Sequence, residues 1–573
     1  MMAIGKYLRM AAALILCFCV PSFRCVAHAA QQYEPPPPNV LLIVMDDMRY
    51  DELWAMPFVS GTLAAQGIVF EQAVVSTPLC CPTRSSLLTG VYAKNHGVLH
   101  NDKPGGSAFA FAARDGDTIA TTAMNAGVRT GLIGKYLNLF PMWADLNSGH
   151  EIPPGWSTFK AWGNNQNWFD WSWWVGSSTA TARAAGTLTT VNQYAADAIA
   201  DAAIEFCGGG GTWMLYLCPF APHSPATPPV EGIGRFEPFA TGGGWVKRGG
   251  ANWGENVNDK PQWVRDAAEG WWNGDALLYS ATQPFRQSHV TPDDLAADRL
   301  RCLWATDAQL ERVYESLWNS GAIQNTWIIV ISDNGFLLGE HRIFDKGAAY
   351  EEALRVPLIL WHVNIEAAST ETLVSADVDV PRTIAGMLGI TLTAGDGVDL
   401  LQAVEGDGHD IQYIQAWPGN DDDAPGWAGL RTPTDKYVEL DSGEREYYDL
   451  ASDPFECVNA IDQPAHVERV AELAAELAAR RGLSMRTTGL PDAIKNAAYS
   501  VTLYAWGGTG PYAWTLDSGT LPAGLTLGGG GVISGTPTTK GTKTFTLRVS
   551  DASVSPLHGG PQVVKRSMTM VVK

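Results

Sequence analysis

Two acidic pairs and one cysteine carry most of the chemistry that can be read from this chain. Asp46-Asp47 and Asp333-Asn334 each follow a short apolar run, Asn39–Met45 and Thr326–Ser332. All four side chains are hard oxygen ligands. With no Cys or His among them, oxygen-only ligation favours Ca2+ or Mg2+ over Zn2+. Taken singly, each pair would serve equally as a helix cap or a turn. Two pairs after two similar runs point instead to a shared cation. Cys80 opens the string Cys80-Cys81-Pro82-Thr83-Arg84. An unmodified thiol needs a base nearby to act as a nucleophile, and the local context supplies no papain-like arrangement. The other reading of Cys80 is a small buried apolar residue.

The elements that must position these groups follow from the hydrophobic pattern. The runs 39–45 and 326–332 are continuous and apolar, as strands buried on both faces of a parallel α/β sheet are. Residues 213–217 and 356–360 are further strand candidates. Residues 292–320 predict a helix, with Pro292 near its start and apolar positions at Leu295, Leu303, Leu310, Val313 and Leu317. Ligands of open α/β sheets bind at the carboxyl ends of strands, which is where both acidic pairs fall. Residues 435–440 and 446–450 read as a hairpin around a turn beginning Asp441-Ser-Gly443, and 465–480 as an amphipathic helix.

A chain of 573 residues predicts two or three domains. Hydrophobic content of 46% with 17% charged residues describes a globular protein. A net charge of −21 argues against nucleic acid as a partner, and requires any anion site to be a local basic pocket in an acidic shell. Residues 1–30 read as a signal peptide: Lys6 and Arg9, an apolar stretch from Met10 to Val20 too short to span a bilayer, and Ala27-His28-Ala29 as the cleavage site. Residues 31–38 form a Pro-rich spacer. No other segment is long and apolar enough for a stable membrane span, so the mature protein is expected to be secreted or periplasmic. Of nine cysteines, Cys17, Cys19 and Cys25 leave with the leader. Cys80 and Cys81 are not expected to pair, because adjacent Cα atoms lie ~3.8 Å apart, closer than a disulfide ordinarily requires.

The tail differs in composition. Residues 490–573 hold seven Lys/Arg and three Asp, a charge of +4, leaving −25 for the rest. Alternating stretches such as Thr544-Phe-Thr-Leu-Arg-Val549, with abundant Gly, Thr and Pro, predict a small β-sandwich. Gly507-Gly-Thr-Gly-Pro-Tyr512, Gly519-Thr-Leu-Pro-Ala-Gly-Leu525 and Ile533-Ser-Gly-Thr-Pro537 resemble the Ig-like module common on bacterial exported proteins. It is read as a spacer or adhesion module, with glycan or the cell surface as its expected contact.

Residues 78–90 resemble the first signature of the type I sulfatases, and 127–137 (Gly-Val-Arg-Thr-Gly-Leu-Ile-Gly-Lys-Tyr-Leu) resemble the second. Residues 219–225 (Pro-Phe-Ala-Pro-His-Ser-Pro) and 332–347 add to the match, which covers roughly 39–480. Gly134-Lys-Tyr-Leu-Asn138, Pro153-Pro-Gly-Trp156 and Asn258-Asp-Lys-Pro-Gln-Trp263 resemble the N-acetylglucosamine-6-sulfatase branch. The resemblance implies an α/β, alkaline-phosphatase-like sandwich with a central mostly parallel sheet, a smaller C-terminal antiparallel subdomain and the appended all-β Ig-like sandwich. The expected divisions are 39–410 for the catalytic domain, 411–488 for the subdomain and 489–573 for the Ig-like module.

In that family the cysteine corresponding to Cys80 is oxidised to 3-oxoalanine (formylglycine) by a maturation enzyme, and the hydrated aldehyde attacks sulfate esters. The resemblance further implies that Asp46, Asp47, Asp333 and Asn334 hold Ca2+, with Mg2+ as the alternative, together with residue 80. Arg84, Lys135, His223 and Lys346 become the basic catalytic set, and His341 and Asn138 line the substrate pocket. Where many members carry a His two residues after the second-signature Lys, this chain has Leu137, and His96 is the substitute considered. Aromatics of the Trp156–Trp174 region could stack on a sugar, but core packing is the expected role for most. The expected activity is release of inorganic sulfate from a sulfated carbohydrate or aryl sulfate. The alternatives are a formylglycine-dependent phosphonate monoester hydrolase or phosphodiesterase, and a non-catalytic exported carbohydrate-binding protein.

Overall fold

A computed structural model of the protein describes residues 37–102, 107–140, 151–163, 168–232, 257–265, 292–392, 395–418, 425–485, 487, 489–503, 505–506, 512–550 and 563–573. The expected signal peptide and all but the end of the spacer lie outside these residues.

Asn39–Met45 (β1) has no polar face, so both sides must be covered. Its side chains divide by parity. Val40, Leu42 and Val44 enter one core, and Leu41, Ile43 and Met45 enter another on the opposite side of the sheet. Among the described residues ten strands form this sheet: β1, Ile68–Val74 (β2), Arg129–Gly134 (β3), Thr158–Trp162 (β4), Trp171–Gly176 (β5), Thr187–Val191 (β6), Trp213–Cys218 (β7), Thr326–Ser332 (β8), Leu358–Trp361 (β9) and Ala368–Ser375 (β10). Their order is β10-β2-β9-β8-β1-β7-β3-β4-β5-β6. The central five, β8 to β4, run parallel; β9 and β5 run against the rest. The expected strand 356–360 starts two residues late. Val356 gives its N–H to Ala73 outside the strand, and Pro357 has none to give.

One face is packed by Cys80–Thr89 (α1) and Ala376–Leu388 (α4), the other by Ala195–Cys207 (α2) and Pro292–Ser320 (α3). In α3, Leu303, Leu310, Val313 and Leu317 are buried, and Leu295 packs at the edge of the same core. Gln412–Ala416 (β11), Trp427–Arg431 (β12), Asp435–Leu440 (β13) and Arg445–Asp449 (β14) form a separate antiparallel sheet in sequential order. Val470, Leu473 and Leu477 of Val467–Arg481 (α5) pack on it. Among the described residues the tail forms two three-stranded antiparallel sheets around Trp514, Ile533, Phe545, Leu547, Val549, Met568 and Met570, and Ala505–Trp506 pairs with Ser484–Met485. No helix among the described residues is long and apolar enough to cross a membrane.

Candidate active site

β1 and β8 are neighbours in parallel register, with Met45 opposite Ser332. The chain therefore leaves the sheet at Asp46 and at Asp333 side by side, although 287 residues separate them in sequence. Asp47 has φ of 67°, a left-handed conformation costing a non-glycine residue on the order of 1 kcal/mol. Its N–H donates to Asp333 Oδ1 at 3.0 Å. Ser332 Oγ accepts from Met48 N at 2.8 Å and donates to Asn334 O at 2.9 Å, tying the two strand ends together.

Cys80 is the first residue of α1, at the positive end of its dipole. Pro82 sits in the first turn, where no intrahelical N–H is required. Gly90 closes the helix in the left-handed conformation, φ 74°. Every residue of α1 is buried. Cys80 Sγ lies 3.7 Å from Asp46 Oδ1 and from Asp47 Oδ1, and accepts from Lys346 Nζ at 2.9 Å. Burial pushes the Cys80 thiol far up, beyond what Lys135 and Lys346 recover. As a thiol it is a poor nucleophile.

Arg84 reaches the acids from one helical turn further on. Its Nε donates to Asp333 Oδ2 at 2.7 Å, Nη1 to Lys135 O at 3.2 Å, and Nη2 lies 3.6 Å from Asp46 Oδ1. Lys135 follows Gly134, whose φ is 109°; a Cβ there would stand 1.9 Å from Cys218 O, so only glycine lets β3 end against β7. Lys135 Nζ donates to Asp46 Oδ1 at 2.6 Å. Lys346 Nζ contacts Asp47 Oδ1, which also accepts from Asn334 Nδ2 at 2.7 Å. Burial alone would raise both carboxyls. Lys135 and Arg84 outweigh it at Asp46, and Lys346 and Lys135 at Asp47, holding both below the usual carboxylate range.

His223 follows β7 on the Pro-rich loop, and its Nε2 lies 3.7 Å from Asp47 Oδ2. Its Nδ1 donates to Ser224 O, which leaves the Nε2 lone pair facing the acids. Burial pushes its pKa down to about 4 against the pull of Asp46 and Asp47, so the ring is neutral. An aromatic column stands behind it. Phe220 lies 4.7 Å from His223, Trp162 4.8 Å from Phe220 and Trp171 4.1 Å from Trp162. Trp156, Trp162, Trp168, Trp171, Trp173 and Trp174 are all buried, so none of them offers an open face to a sugar.

Three carboxylates (Asp46, Asp47, Asp333) thus meet three cations (Arg84, Lys135, Lys346), a balance of zero. Two buried oxygens in the cluster, Asp46 Oδ2 and Asn334 Oδ1, have no hydrogen-bond partner among the described residues. A buried oxygen left bare costs about 1–3 kcal/mol. Two of them in an oxygen-rich set fit a hard divalent cation, which would raise the local charge to +2.

The structure does not bring His96 or His341 into this group. His96 Nδ1 accepts from Val98 N at 3.1 Å and its Nε2 meets Ser86 Oγ at 3.1 Å, on α1; burial pushes its pKa down to about 3. His341 is fully buried, stacked on Tyr350 at 3.9 Å and 3.7 Å from Glu352. Asn138 accepts Ala108 N through its backbone at 3.1 Å. Two residues that the sequence reading passed over touch the site's framework: Arg299, which donates to Asp47 O, and Trp427, whose Nε1 donates to Gly347 O at 2.7 Å beside Lys346. Arg299 could have been found, because it falls on the apolar face of its helix between Ala296 and Leu303. Trp427 carried no comparable signal.

A mostly parallel sheet sandwiched by helices, with acids at the carboxyl ends of adjacent strands, defines an alkaline-phosphatase-like hydrolase fold. The chain belongs to the sulfatase family, whose model matches residues 38–390. A model for the C-terminal part of N-sulphoglucosamine sulphohydrolase matches 339–482, and an Ig domain model matches 483–563. Human N-acetylglucosamine-6-sulfatase is 28% identical over 383 residues, 64% of this chain and 64% of that protein. An arylsulfatase of Chlamydomonas reinhardtii is 26% identical over 530 residues, 81% of this chain and 78% of that protein. The chain spans 30%, 49% and 64% of the length of the first three curated relatives it matches. A protein solved with its substrate D-glucosamine-2-N,6-O-disulfate shares the fold at 21% identity and a TM-score of 0.60, covering 77% of this chain and 97% of that one.

Proposed function

We propose that the protein is an exported sulfatase that releases inorganic sulfate from a sulfated carbohydrate, with residue 80 matured to formylglycine and Ca2+ held by Asp46, Asp47, Asp333 and Asn334. The observation that carries this reading is the burial of Cys80 against Asp46, Asp47 and Lys346, in a cluster where two oxygens lack a hydrogen-bond partner among the described residues. A cysteine whose pKa is driven up in such a place has no use as a thiolate. It is well placed as the precursor of a group that acts beside a cation. When present, the aldehyde hydrate supplies the nucleophilic oxygen and the cation polarises the sulfate.

The chain's own groups do the rest. Lys346, 2.9 Å from Cys80 Sγ, and Lys135, 2.6 Å from Asp46 Oδ1, bind sulfate oxygens, stabilising charge that grows in the transition state. Arg84 holds Asp333 and balances Asp46. His223, fixed through Nδ1 on Ser224 O, has Nε2 available to take a proton and return it to the departing alcohol oxygen. Phe220, itself stacked on Trp162, packs behind the ring at 4.7 Å. The leader-like N-terminus supports export, the family supports a formylglycine-generating maturation enzyme as partner, and the tail is read as a spacer or surface-binding module.

Mass spectrometry of the peptide containing Cys80, from protein produced with a maturation enzyme, tests the reading together with turnover of nitrophenyl sulfate, phosphate and phosphonate esters. A residue lighter than cysteine by the thiol-to-aldehyde exchange, with sulfate turnover abolished in Cys80→Ala, is the expected result. An unmodified thiol in an active preparation overturns the mechanism. Preference for phosphonate would move the chain to the alternative chemistry.

A further inference from the structure

Asp47 is the most constrained of the four oxygen ligands, and its constraint does not come from the site alone. Its backbone is left-handed, φ 67°, in a residue with a Cβ. Its N–H is spent on Asp333. Its carbonyl accepts from Arg299 Nη2 at 2.7 Å. Arg299 comes from α3, on the far side of the sequence, and is fully buried. It is held in turn by Glu52, which accepts Nε on Oε1 at 2.9 Å and Nη2 on Oε2 at 2.8 Å. Glu52 also accepts Arg49 N at 3.0 Å and is itself fully buried. The ring of Phe336, two residues beyond Asn334, lies 4.8 Å from the guanidinium.

We infer that Arg299, locked by Glu52, is the positioning residue that holds Asp47 in the conformation needed to ligate the cation. The inference rests on the reading of Asp47 as a cation ligand. The physical case is one of geometry. A left-handed aspartate relaxes towards the right-handed or extended regions unless its peptide groups are tied on both sides. Asp333 ties the N–H, and Arg299 ties the carbonyl. If Asp47 rotated back, its carboxylate would leave Asn334, Lys346 and Cys80. Only a guanidinium can meet both Glu52 oxygens in a fork and still spare one N–H for the carbonyl of Asp47. Lysine has the charge without the fork. A charge buried to this degree for packing alone would be poor economy, because an apolar residue of similar volume is commonly as stable or more so.

The experiment is calcium titration by calorimetry of the full-length protein after chelation and gel filtration, comparing wild type, R299K, E52Q and D47A, with thermal melting of each metal-free form. Residues that orient metal ligands from behind typically change affinity 10–100-fold. R299K is expected to weaken calcium binding by about that factor, and E52Q, which removes one acceptor from the fork, several-fold in the same direction. Activity of R299K should recover towards wild type as calcium is raised to saturation. If R299K fails to fold, E52Q decides. Wild-type calcium affinity in folded R299K and E52Q, whatever their melting temperatures, overturns the inference and leaves the residues as packing. Wild-type protein that binds no calcium, or D47A that binds it as wild type does, overturns the cation reading itself and the clamp with it.

Discussion

Replacing Lys135 by Met separates three quantities that usually fall together. Lys135 Nζ sits 2.6 Å from Asp46 Oδ1. Among the described residues the other oxygen of Asp46 has no hydrogen-bond partner, and Arg84 Nη2 is 3.6 Å from Oδ1. Met keeps the side-chain length but leaves Asp46 buried with little compensation, and the cluster's charge falls from zero to −1. Breaking a buried pair in this way costs about 3–5 kcal/mol. For a cooperative unit the size of the matched region 38–390, at about 2 cal/mol/K per residue, that is a fall of roughly 4–7 °C in the melting temperature in chelator. Calcium should remove most of the deficit, because a divalent cation supplies the missing charge to the same carboxylate. By linkage, K135M should then bind calcium more tightly than wild type, since one like charge has left the site. Turnover should nevertheless drop by about 100- to 1,000-fold at saturating calcium, the range for losing one preorganised donor to a transition-state oxygen. The assay is thermal melting of both proteins with chelator and with calcium, alongside hydrolysis of nitrophenyl sulfate. Equal destabilisation of K135M under the two conditions, or weaker calcium binding, would refute the idea that Lys135 and the cation share Asp46.

Trp427→Phe keeps a ring in place but strips the carbonyl of Gly347 of its donor. It should cost about 1–3 kcal/mol in stability and, because Gly347 follows Lys346 directly, lower kcat/KM by about tenfold, checked by melting and steady-state kinetics on matured enzyme. His409 Nε2 lies 3.0 Å from both oxygens of Asp379; burial works against its charge, but the bond to Asp379 outweighs it and raises the pKa. The stability from that pair is therefore complete below pH about 6.5 and lost as pH climbs through the raised folded value, and H409Q should flatten this part of the melting temperature-against-pH curve. The net charge of −21 opposes an anionic substrate at long range, so kcat/KM for a sulfate ester should rise or hold steady as ionic strength goes from low to physiological; a steep fall would show that the mouth of the site is basic enough to steer.

What could be read from the chain followed from local physics. Continuous apolar runs such as 40–45 and 327–331 are not expected to be half-exposed, so they read as interior strands, with the acids after them at strand ends. Their parallel pairing in register is a tertiary fact; the likeness of the two runs and the family resemblance both pointed to one shared site, but neither gave the pairing itself. The hairpin 435–450 was legible from its turn, with the second strand starting one residue earlier than expected because Glu439 pairs with Arg445. His96 and His341 illustrate the converse. A histidine carries no mark in sequence that separates a pocket from a packed interior, and here one ring is engaged by Ser86 and Val98 and the other by Tyr350 and Glu352. Leu137, conspicuous against the family pattern, is a buried residue of the core beneath α1.

The acidity of the chain and the chemistry of its site are reconciled by scale. At physiological salt, exposed charges further apart than about 8 Å are largely screened from one another, so most of the −21 is weakly felt inside the cluster. There the count is three carboxylates against three cations, all buried, and unscreened by water. A neutral set of this kind carries the desolvation cost of burying its ions but not the mutual repulsion of a permanently basic pocket. On the proposed reading, a divalent cation added afterwards would make the site +2, a charge suited to a bound sulfate ester and its developing negative charge. On that reading the basic pocket that the composition called for need not pre-exist in the folded chain: loading the cation would create it, at the place where Cys80 already lies.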